Sequence, residues 1–326
     1  MPSSPNWPLV VPAVSPPITV VNGDSNEVLK MLAPDSIDAV ICDPPYGISL
    51  PTAHWDDSSV PSVSFWRACY RVLRPGKRLL AFTAARMHHR MAGSIRQAGF
   101  EILDMLFWSY TSGVPSSRDI SRDLDRLEGV ERPVVGHKIQ KPLFGGGEAK
   151  LNPIYSNEPI TPIAQRFAGW GTGLRPAHEP IVVARKPDPS RPQLTAYPAE
   201  QIDEAVWQCN LASDMSIEEA IQFAPLFVCR KPSGKDRAEG GGHPTMKPIP
   251  MMEHLITLVS RMGDTILDPF AGSGTTGIAA MRLSRGAVLI EMDPHFYQVI
   301  LARLEKHAAF EEGPAAKGVR RRRNKG

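Results

Sequence analysis

Residues 265–291 read TILDPFAGSGTTGIAAMRLSRGAVLIE, and their pattern decides the fold. An apolar strand ends at Asp268, a glycine turn follows at Gly272-Ser273-Gly274, and a helix rich in small residues starts near Thr275. A second apolar strand, AVLIE, ends in Glu291. Glycines let backbone approach a ligand closely, and a helix N-terminus offers unpaired N–H groups to it. Glu291 lies 19 residues beyond Gly272, the spacing at which an acid meets a ribose hydroxyl pair in nucleotide-binding βαβ units. No Gly-Lys-Ser/Thr follows the turn, so a Walker phosphate loop is excluded. A ligand without phosphate, held by an acid at each end, suits Asp268 and Glu291. S-adenosylmethionine, with its cationic ammonium and sulfonium at one end and a ribose at the other, has that chemistry.

Working outward, regular structure occupies both ends of the chain. ITVVNGD (Ile18–Asp24) predicts a strand ending on an acid, followed by a helix to about Leu32. IDAVICDPPYG (Ile37–Gly47) predicts a buried strand entering a Pro-Pro turn, and SVSFWRACYRVL predicts a helix over Ser62–Leu73 that stops at Arg74-Pro75-Gly76. Strands at Arg78–Ala84 and Glu101–Tyr110 flank a helix near Met87–Ala98. MMEHLITLVSRM, just before the glycine unit, has amphipathic helical spacing. Strands alternating with helices at short intervals predict an α/β fold with a doubly wound, mostly parallel sheet. Residues 1–17 are rich in Pro and Ser and read as irregular. Residues 18–110 and 243–310 form the two halves of one domain, with a variable region at 111–242 and a basic, disordered tail at 311–326. Within that variable region the sequence predicts core strands near 178–186 and 225–230 and a short helix near Ile217–Phe223.

Composition removes several classes. The chain has 326 residues, 42% hydrophobic and 22% charged, which excludes a disordered chain or a coiled coil. No window is apolar enough to span a membrane, and the N-terminus lacks the basic start of a signal peptide, so a cytoplasmic location is expected. The 32 prolines point to long ordered loops. Four cysteines, none in a CxxC pair, indicate neither a disulfide framework nor a metal site. The net charge of +3 is uneven, because KGVRRRRNKG at the C-terminus carries six cations. The rest is net negative, so the body is not a uniformly basic nucleic-acid binder.

The second chemical signal is Asp43-Pro44-Pro45-Tyr46-Gly47. Two prolines fix φ and remove two N–H donors, leaving the nearby carbonyls as acceptors. A carboxylate and a carbonyl together accept both hydrogens of an exocyclic amine, which localises the nitrogen lone pair and strengthens it as a nucleophile. Tyr46 offers a flat face to an extruded base.

Asp43-Pro44-Pro45-Tyr46 together with DPFAGSGTT resembles the amino-methyltransferase family of DNA methyltransferases, which modify adenine N6 or cytosine N4. Asp43 precedes Gly272 by 229 residues, with the variable stretch between, an order that resembles the permuted β class. HPTMKPIPMMEHLI and NGDSNEVL are similar to further segments of that class, and GWGTGLRPAHEPIVVARKP resembles methylases of phages and prophages. The resemblance implies a circularly permuted, Rossmann-like S-adenosylmethionine-dependent fold with an inserted target-recognition region. It implies that Asp43 and the Pro44 carbonyl, in a turn completed by Pro45, orient the amine while Tyr46 stacks on the base. Asp268, Phe270, Gly272, Ser273, Gly274 and Thr275 would line the methionine end of the cofactor. Glu291 would hold the ribose, Asp24 the adenine side, and Thr245 and Lys247 the cofactor carboxylate.

Transfer is then direct, from sulfonium to amine nitrogen, with no metal and no covalent enzyme intermediate. Within that family an aspartate opening the turn is commoner for adenine N6, so the resemblance implies adenine N6 over cytosine N4, although both amines present the same geometry. In the variable region, Arg118, Arg122, Arg126, Lys138, Lys141, Lys150, Arg166, Arg175, Arg185 and Lys186 are candidate contacts to double-stranded DNA, and Trp170 is a candidate stacking or wedging group. An RNA or protein methyltransferase and a catalytically silent DNA-binding module are the rival readings. The sequence leaves open whether the chain forms a homodimer or works beside a cognate restriction endonuclease.

Overall fold

The computed structural model describes residues 6–11, 16–47, 60–110, 118–140, 150–171, 177–188, 190 and 226–312. The chain forms two compact units, Met1–Tyr110 with Glu179–Gly326, and Thr111–His178. The larger is built on strands β1 (Asn6–Val11), β2 (Ile18–Asn22), β3 (Ile37–Cys42), β4 (Leu73–Phe82), β5 (Glu101–Ser109), β8 (His178–Arg185), β9 (Leu226–Val228), β10 (Thr265–Asp268) and β11 (Gly286–Glu291). They form one sheet in the order β1-β2-β11-β10-β3-β4-β8-β5-β9. The run from β2 to β4 is parallel throughout, whereas β1 and β8 pair antiparallel to β2 and β4.

Alternation along each strand divides the core in two. After the short helix α6 (Gly234–Glu239), helices α7 (Ile249–Val259), α8 (Thr275–Arg282) and α9 (Pro294–Glu312) pack with Val20, Ile41, Leu80 and Phe82. Val21, Val40, Leu79 and Ala81 pack with α1 (Ser25–Met31), α2 (Val63–Val72) and α3 (His88–Gln97). Both faces are therefore covered, as a parallel sheet requires. All six residues of β3 are buried, which explains its apolar run Ala39–Cys42; the buried Asp38 is paired with Arg74 and Lys77. The windings diverge between β10 and β3. One runs through α8 to β11, the other through α2 to β4, on opposite faces. Open α/β sheets bind ligands at the carboxyl ends of the strands at such a point.

Two expectations are corrected. Residues 6–11 are not irregular, because β1 completes the sheet edge by pairing with β2. The helix stops before Arg74-Pro75-Gly76 as expected, but the next strand starts at Leu73 and not at Arg78, so these three residues lie within β4, at the irregularity in its pairing with β3. The core strands expected near 178–186 and 225–230 are β8 and β9 of the large sheet, and the small unit ends at His178. The expected helix near Ile217–Phe223 lies outside the described residues.

The small unit holds α4 (Ile120–Leu127), a pair of antiparallel strands β6 (Val134–Gln140) and β7 (Lys150–Tyr155), and α5 (Pro162–Arg166). Its organising group is polar. Buried Asp125 accepts from Arg132 Nε at 2.7 Å and from the Thr161 amide and hydroxyl, each at 2.8 Å. A core knotted by a carboxylate leaves little apolar periodicity in the sequence. Among the described residues no helix is long and apolar enough to cross a membrane.

Gly277, on α8, is the third glycine of GSGTTG and sits where helix and strand touch. A β-carbon there would lie 2.5 Å from Leu289 Cδ1 and 3.3 Å from Leu304 Cδ2. Both leucines are fully buried and have no room to turn away. Gly277→Val should therefore lower stability by about 2 kcal/mol in urea unfolding. An unchanged midpoint would show that the β10–α8–β11 packing is looser than described.

Candidate active site

Each acid of the site stands at the carboxyl end of a parallel strand. Asp24 follows β2, Asp43 follows β3, Asp268 ends β10 and Glu291 ends β11. All four line one cavity of about 810 Å³. The same wall includes Pro45, Thr245, Lys247, Phe270, Gly272, Ser273 and Thr275. The Asp-Pro-Pro turn and the glycine loop thus open onto a single space, because β3 and β10 are hydrogen-bonded neighbours. Pro44, Tyr46 and Gly274 stand outside the lining.

The glycine loop is held from several sides. Gly272 and Gly274 adopt positive φ values of 52° and 76°, where side chains are disfavoured. A β-carbon on Gly272 would press on His243 at 3.0 Å, and one on Gly274 on Ile300 at 2.9 Å. The Gly272 amide donates to Glu291 Oε2 at 2.7 Å, and the Asp293 amide to Oε1 at 2.8 Å. Asp268 accepts from the Phe270 amide at 3.0 Å and from the Thr276 hydroxyl. Phe270 packs on Phe65 with ring centroids 5.0 Å apart. Asp24 caps α1 by accepting from the Asn26 amide at 2.8 Å. Arg303, only 2% exposed, reaches from α9 to the Ser273 carbonyl and ion-pairs with Glu239 at 3.6 Å.

Burial shapes the titration of these acids. Asp268 is pushed up to about 7 and Glu291 to about 6, in each case by burial first. Burial also raises Asp43, against the pull of Lys247. The cavity therefore collects carboxyl groups that ionise reluctantly without a cation beside them. His243, on the same wall, is driven down to about 4 by burial and by Lys247, so it is a neutral ring.

Lys247 departs from expectation. The sequence reading aimed it at a cofactor carboxylate. Its ammonium instead lies 2.5 Å from Asp43 Oδ2, 3.2 Å from the Tyr46 hydroxyl and 3.3 Å from Glu179 Oε2. It is 7% exposed, and a buried ammonium needs such partners. Burial alone would depress its pKa, but the two carboxylates hold it above the usual lysine value. Tyr46 is likewise engaged, its hydroxyl donating to Asp43 Oδ1 at 2.6 Å. Glu179 and Arg303 escaped the sequence reading. The only trace of Glu179 was an acid opening the apolar run EPIVVA, and Arg303 left none beyond a cation in a helix.

The candidate nucleic-acid contacts divide. Arg118 pairs with Asp123 at 2.9 Å, and Arg122 lies 4.5 Å over the Tyr155 ring. Arg166 is exposed in the last turn of α5, and Trp170 is 61% exposed with its edge on Phe167. Lys141 and Arg175 lie outside the described residues. Arg185 and Lys186 are corrected: they are structural groups of the large unit, pairing with Glu101 at 2.7 Å and Asp35 at 2.6 Å.

A family model described as DNA methylase, covering the N6 and N4 amino-methylases, matches residues 37–302. Type II methyltransferase M.HindIII of Haemophilus influenzae is 25% identical over 335 residues, spanning 89% of this chain and 97% of that protein. Type II methyltransferase M2.LlaDCHI of Lactococcus lactis is 23% identical, spanning 89% of this chain and 90% of that one. Among solved structures, the M1.HpyAVI complex with S-adenosylmethionine is similar at a TM-score of 0.51 and 19% identity, covering 87% of this chain and 98% of that one. PvuII DNA methyltransferase, described as cytosine-N4-specific, is similar at a TM-score of 0.53 and 17% identity, covering 87% of this chain and 84% of that one.

The raised Asp268 carries a stability consequence. Its folded value of about 7 exceeds its ordinary value of 3.8, so the folded chain keeps a proton that the unfolded chain loses. Stability from this group is fully present below about pH 4 and lost as pH rises through about 7. Urea unfolding from pH 4 to 8 should show the wild type losing stability relative to Asp268→Asn across that window. Parallel curves would contradict the assignment.

Proposed function

The chain belongs to the DNA methylase family, and from that membership and the shared cavity we propose that it methylates the N6 amine of an adenine flipped out of duplex DNA, with S-adenosylmethionine as donor. The carrying observation is that Asp43 and the glycine loop line one space.

The residues present suit that donor. A cavity of about 810 Å³ matches the size of cofactor sites. Glu291 accepts two backbone amides, yet two carboxylate oxygens offer about four lone pairs, leaving capacity for ribose hydroxyls. Asp268 and Asp24 add acidic groups for the cationic and adenine ends, and Thr245, Ser273 and Thr275 add polar ones. Phe270 supplies an apolar wall. Gly272 lets the loop pass beside His243, where a β-carbon would press on the ring, while its backbone lines the cavity. When bound, S-adenosylmethionine supplies a methyl group made electrophilic by the sulfonium.

The chain's own contribution is positional. Asp43 accepts a hydrogen of the amine, and the Pro44 carbonyl, freed from strand pairing by the two prolines, accepts the other. The nitrogen lone pair is thereby turned toward the donor side of the cavity. Holding both partners in line is the main source of acceleration. A thiol route is disfavoured: burial, then Asp268, keeps Cys42 protonated beside the turn, and a protonated thiol is a poor nucleophile. Tyr46, anchored through its hydroxyl, fixes the Asp43 carboxylate and offers its ring to the base. Adenine is favoured over cytosine on the resemblance alone, in which an aspartate opening the turn goes more often with adenine N6. The unit Thr111–His178, carrying Arg166 and Trp170, is assigned to target recognition.

Asp43→Ala should reduce methyl transfer to duplex DNA by at least 10³-fold while leaving cofactor affinity within about threefold, measured with tritiated donor and by calorimetry. Nucleoside mass spectrometry of the product should find N6-methyladenine. N4-methylcytosine would move the reading to the other amine, and retained transfer by the variant would remove Asp43 from its role.

A further inference from the structure

Behind the cavity wall lies a charged cluster that the family assignment leaves without a role. Glu179 is the second residue of β8, which is antiparallel to its neighbour β4, so its side chain arrives from the opposite chain direction to Asp43. The Lys247 ammonium sits between the two acids, 2.5 Å from Asp43 and 3.3 Å from Glu179. The Tyr46 hydroxyl does the same, 2.6 Å from Asp43 Oδ1 and 3.1 Å from Glu179 Oε2. Lys231 lies 3.6 Å from Glu179 and 3.9 Å from the centre of the Tyr110 ring. Two carboxylates therefore share one buried ammonium and one phenol, and a second ammonium stands behind Glu179.

We propose that Glu179 is a positioning residue for the transfer reaction: by sharing Lys247 and Tyr46 with Asp43, it divides the charge of an ammonium already in contact with the carboxylate that faces the amine. This rests on the reading of Asp43 as the acceptor of amine hydrogens. The argument is one of charge division. With Glu179 ionised, the single positive charge of Lys247 is split, and Asp43 stays a strong acceptor. Without it, Asp43 and Lys247 form a closed neutral pair, and the acceptor weakens. Lys231 works in the opposite sense, drawing the Glu179 charge away from the cluster.

The groups facing Asp43 are Lys247 and Tyr46 in contact, with Glu179 and Asp268 acting through charge and the neutral Cys42 thiol beside it in the chain. Lys231 and Tyr110 face Glu179, and His243 faces Lys247. Among these, Glu179 raises the Asp43 pKa by like-charge repulsion. Its removal moves the acid limb of turnover to lower pH and, because a weaker base is a poorer acceptor, lowers the plateau.

The test uses the full chain, tritiated S-adenosylmethionine and unmethylated plasmid DNA, with Glu179→Gln and Lys231→Gln. Glu179→Gln should lower kcat roughly tenfold with the donor KM within about twofold, and shift the acid limb down. Lys231→Gln should shift it up. A merely structural role for Glu179 would move kcat and KM without opposite shifts in the limb. Carboxyl-labelled aspartate, with Asp43 assigned through Asp43→Asn, gives the same titration by NMR without turnover. Opposite movements of the Asp43 midpoint support the inference even if the wild type fails to methylate DNA, an outcome that would sink only the functional reading. Midpoints unmoved in both folded variants would overturn it.

Discussion

The site depends on one constraint: β10 and β3 are hydrogen-bonded neighbours, and the chain leaves them on opposite faces of the sheet. At that divide, among the described residues, no crossover helix covers the strand ends, so a cleft opens there. Ile266 pairs with Ala39 and Leu267 with Val40, which brings the strand-end acids Asp268 and Asp43 to similar height. The sequence order of the two halves is then immaterial. Residues more than two hundred positions apart meet because two short strands share a ladder, and an insertion between them leaves the cleft intact provided the chain returns to the sheet, as it does at β8.

What could be read from the sequence follows from what is local. Strands, helices and the two turns carry their own chemistry: apolar runs, a terminal acid, glycines at positive φ, paired prolines. Asp43, Asp268, Gly272 and Glu291 were legible for that reason. Asp24 was too, as an acid that both ends a strand and caps a helix. Lys247 was legible as a residue but not in its partner, since it reaches Asp43 only through the packing of the loop before α7 against the sheet. Glu179 and Arg303 act through contacts made across strands or from the last helix, and neither breaks the pattern of its own element. The small unit was opaque for a different reason. Its centre is Asp125, satisfied by Arg132 and Thr161, and a polar knot produces no hydrophobic period. The strand at residues 6–11 was masked by prolines, which an edge strand tolerates because one side makes no ladder.

The electrostatics of the cleft are lopsided in a useful way. Asp43 has Lys247 beside it, whereas Asp268 and Glu291 have backbone amides and hydroxyls but no cation at hydrogen-bond distance among the described residues. Their raised pKa values express that shortfall. A ligand bearing positive charge would relieve it, drawing both acids to their ionised forms on binding. The Asp43 side is instead internally balanced, with Lys247 between Asp43 and Glu179 and Lys231 beside Glu179, and leaves no net charge for a neutral partner to offset. The two ends of one cavity are thus matched to partners of different charge, and confusion between them would strand an unpaired charge in a buried site.

Preorganisation completes the argument. A loop that must cradle a ligand by its backbone is ordinarily free to move, and ordering it on binding is costly. Here the glycine loop is already fixed at both of its polar ends. Glu291 holds the Gly272 amide, and Arg303 holds the Ser273 carbonyl from a helix packed on the sheet. Arg303 is itself buried, and its Nε and Nη2 atoms make no hydrogen bond, although Glu239 lies within ion-pair distance. A cation is placed where it satisfies a loop carbonyl at the expense of its own solvation, which lowers its pKa through burial. Such an arrangement is unfavourable for stability alone. It becomes intelligible when the loop must stand open, in one conformation, before anything arrives to fill it.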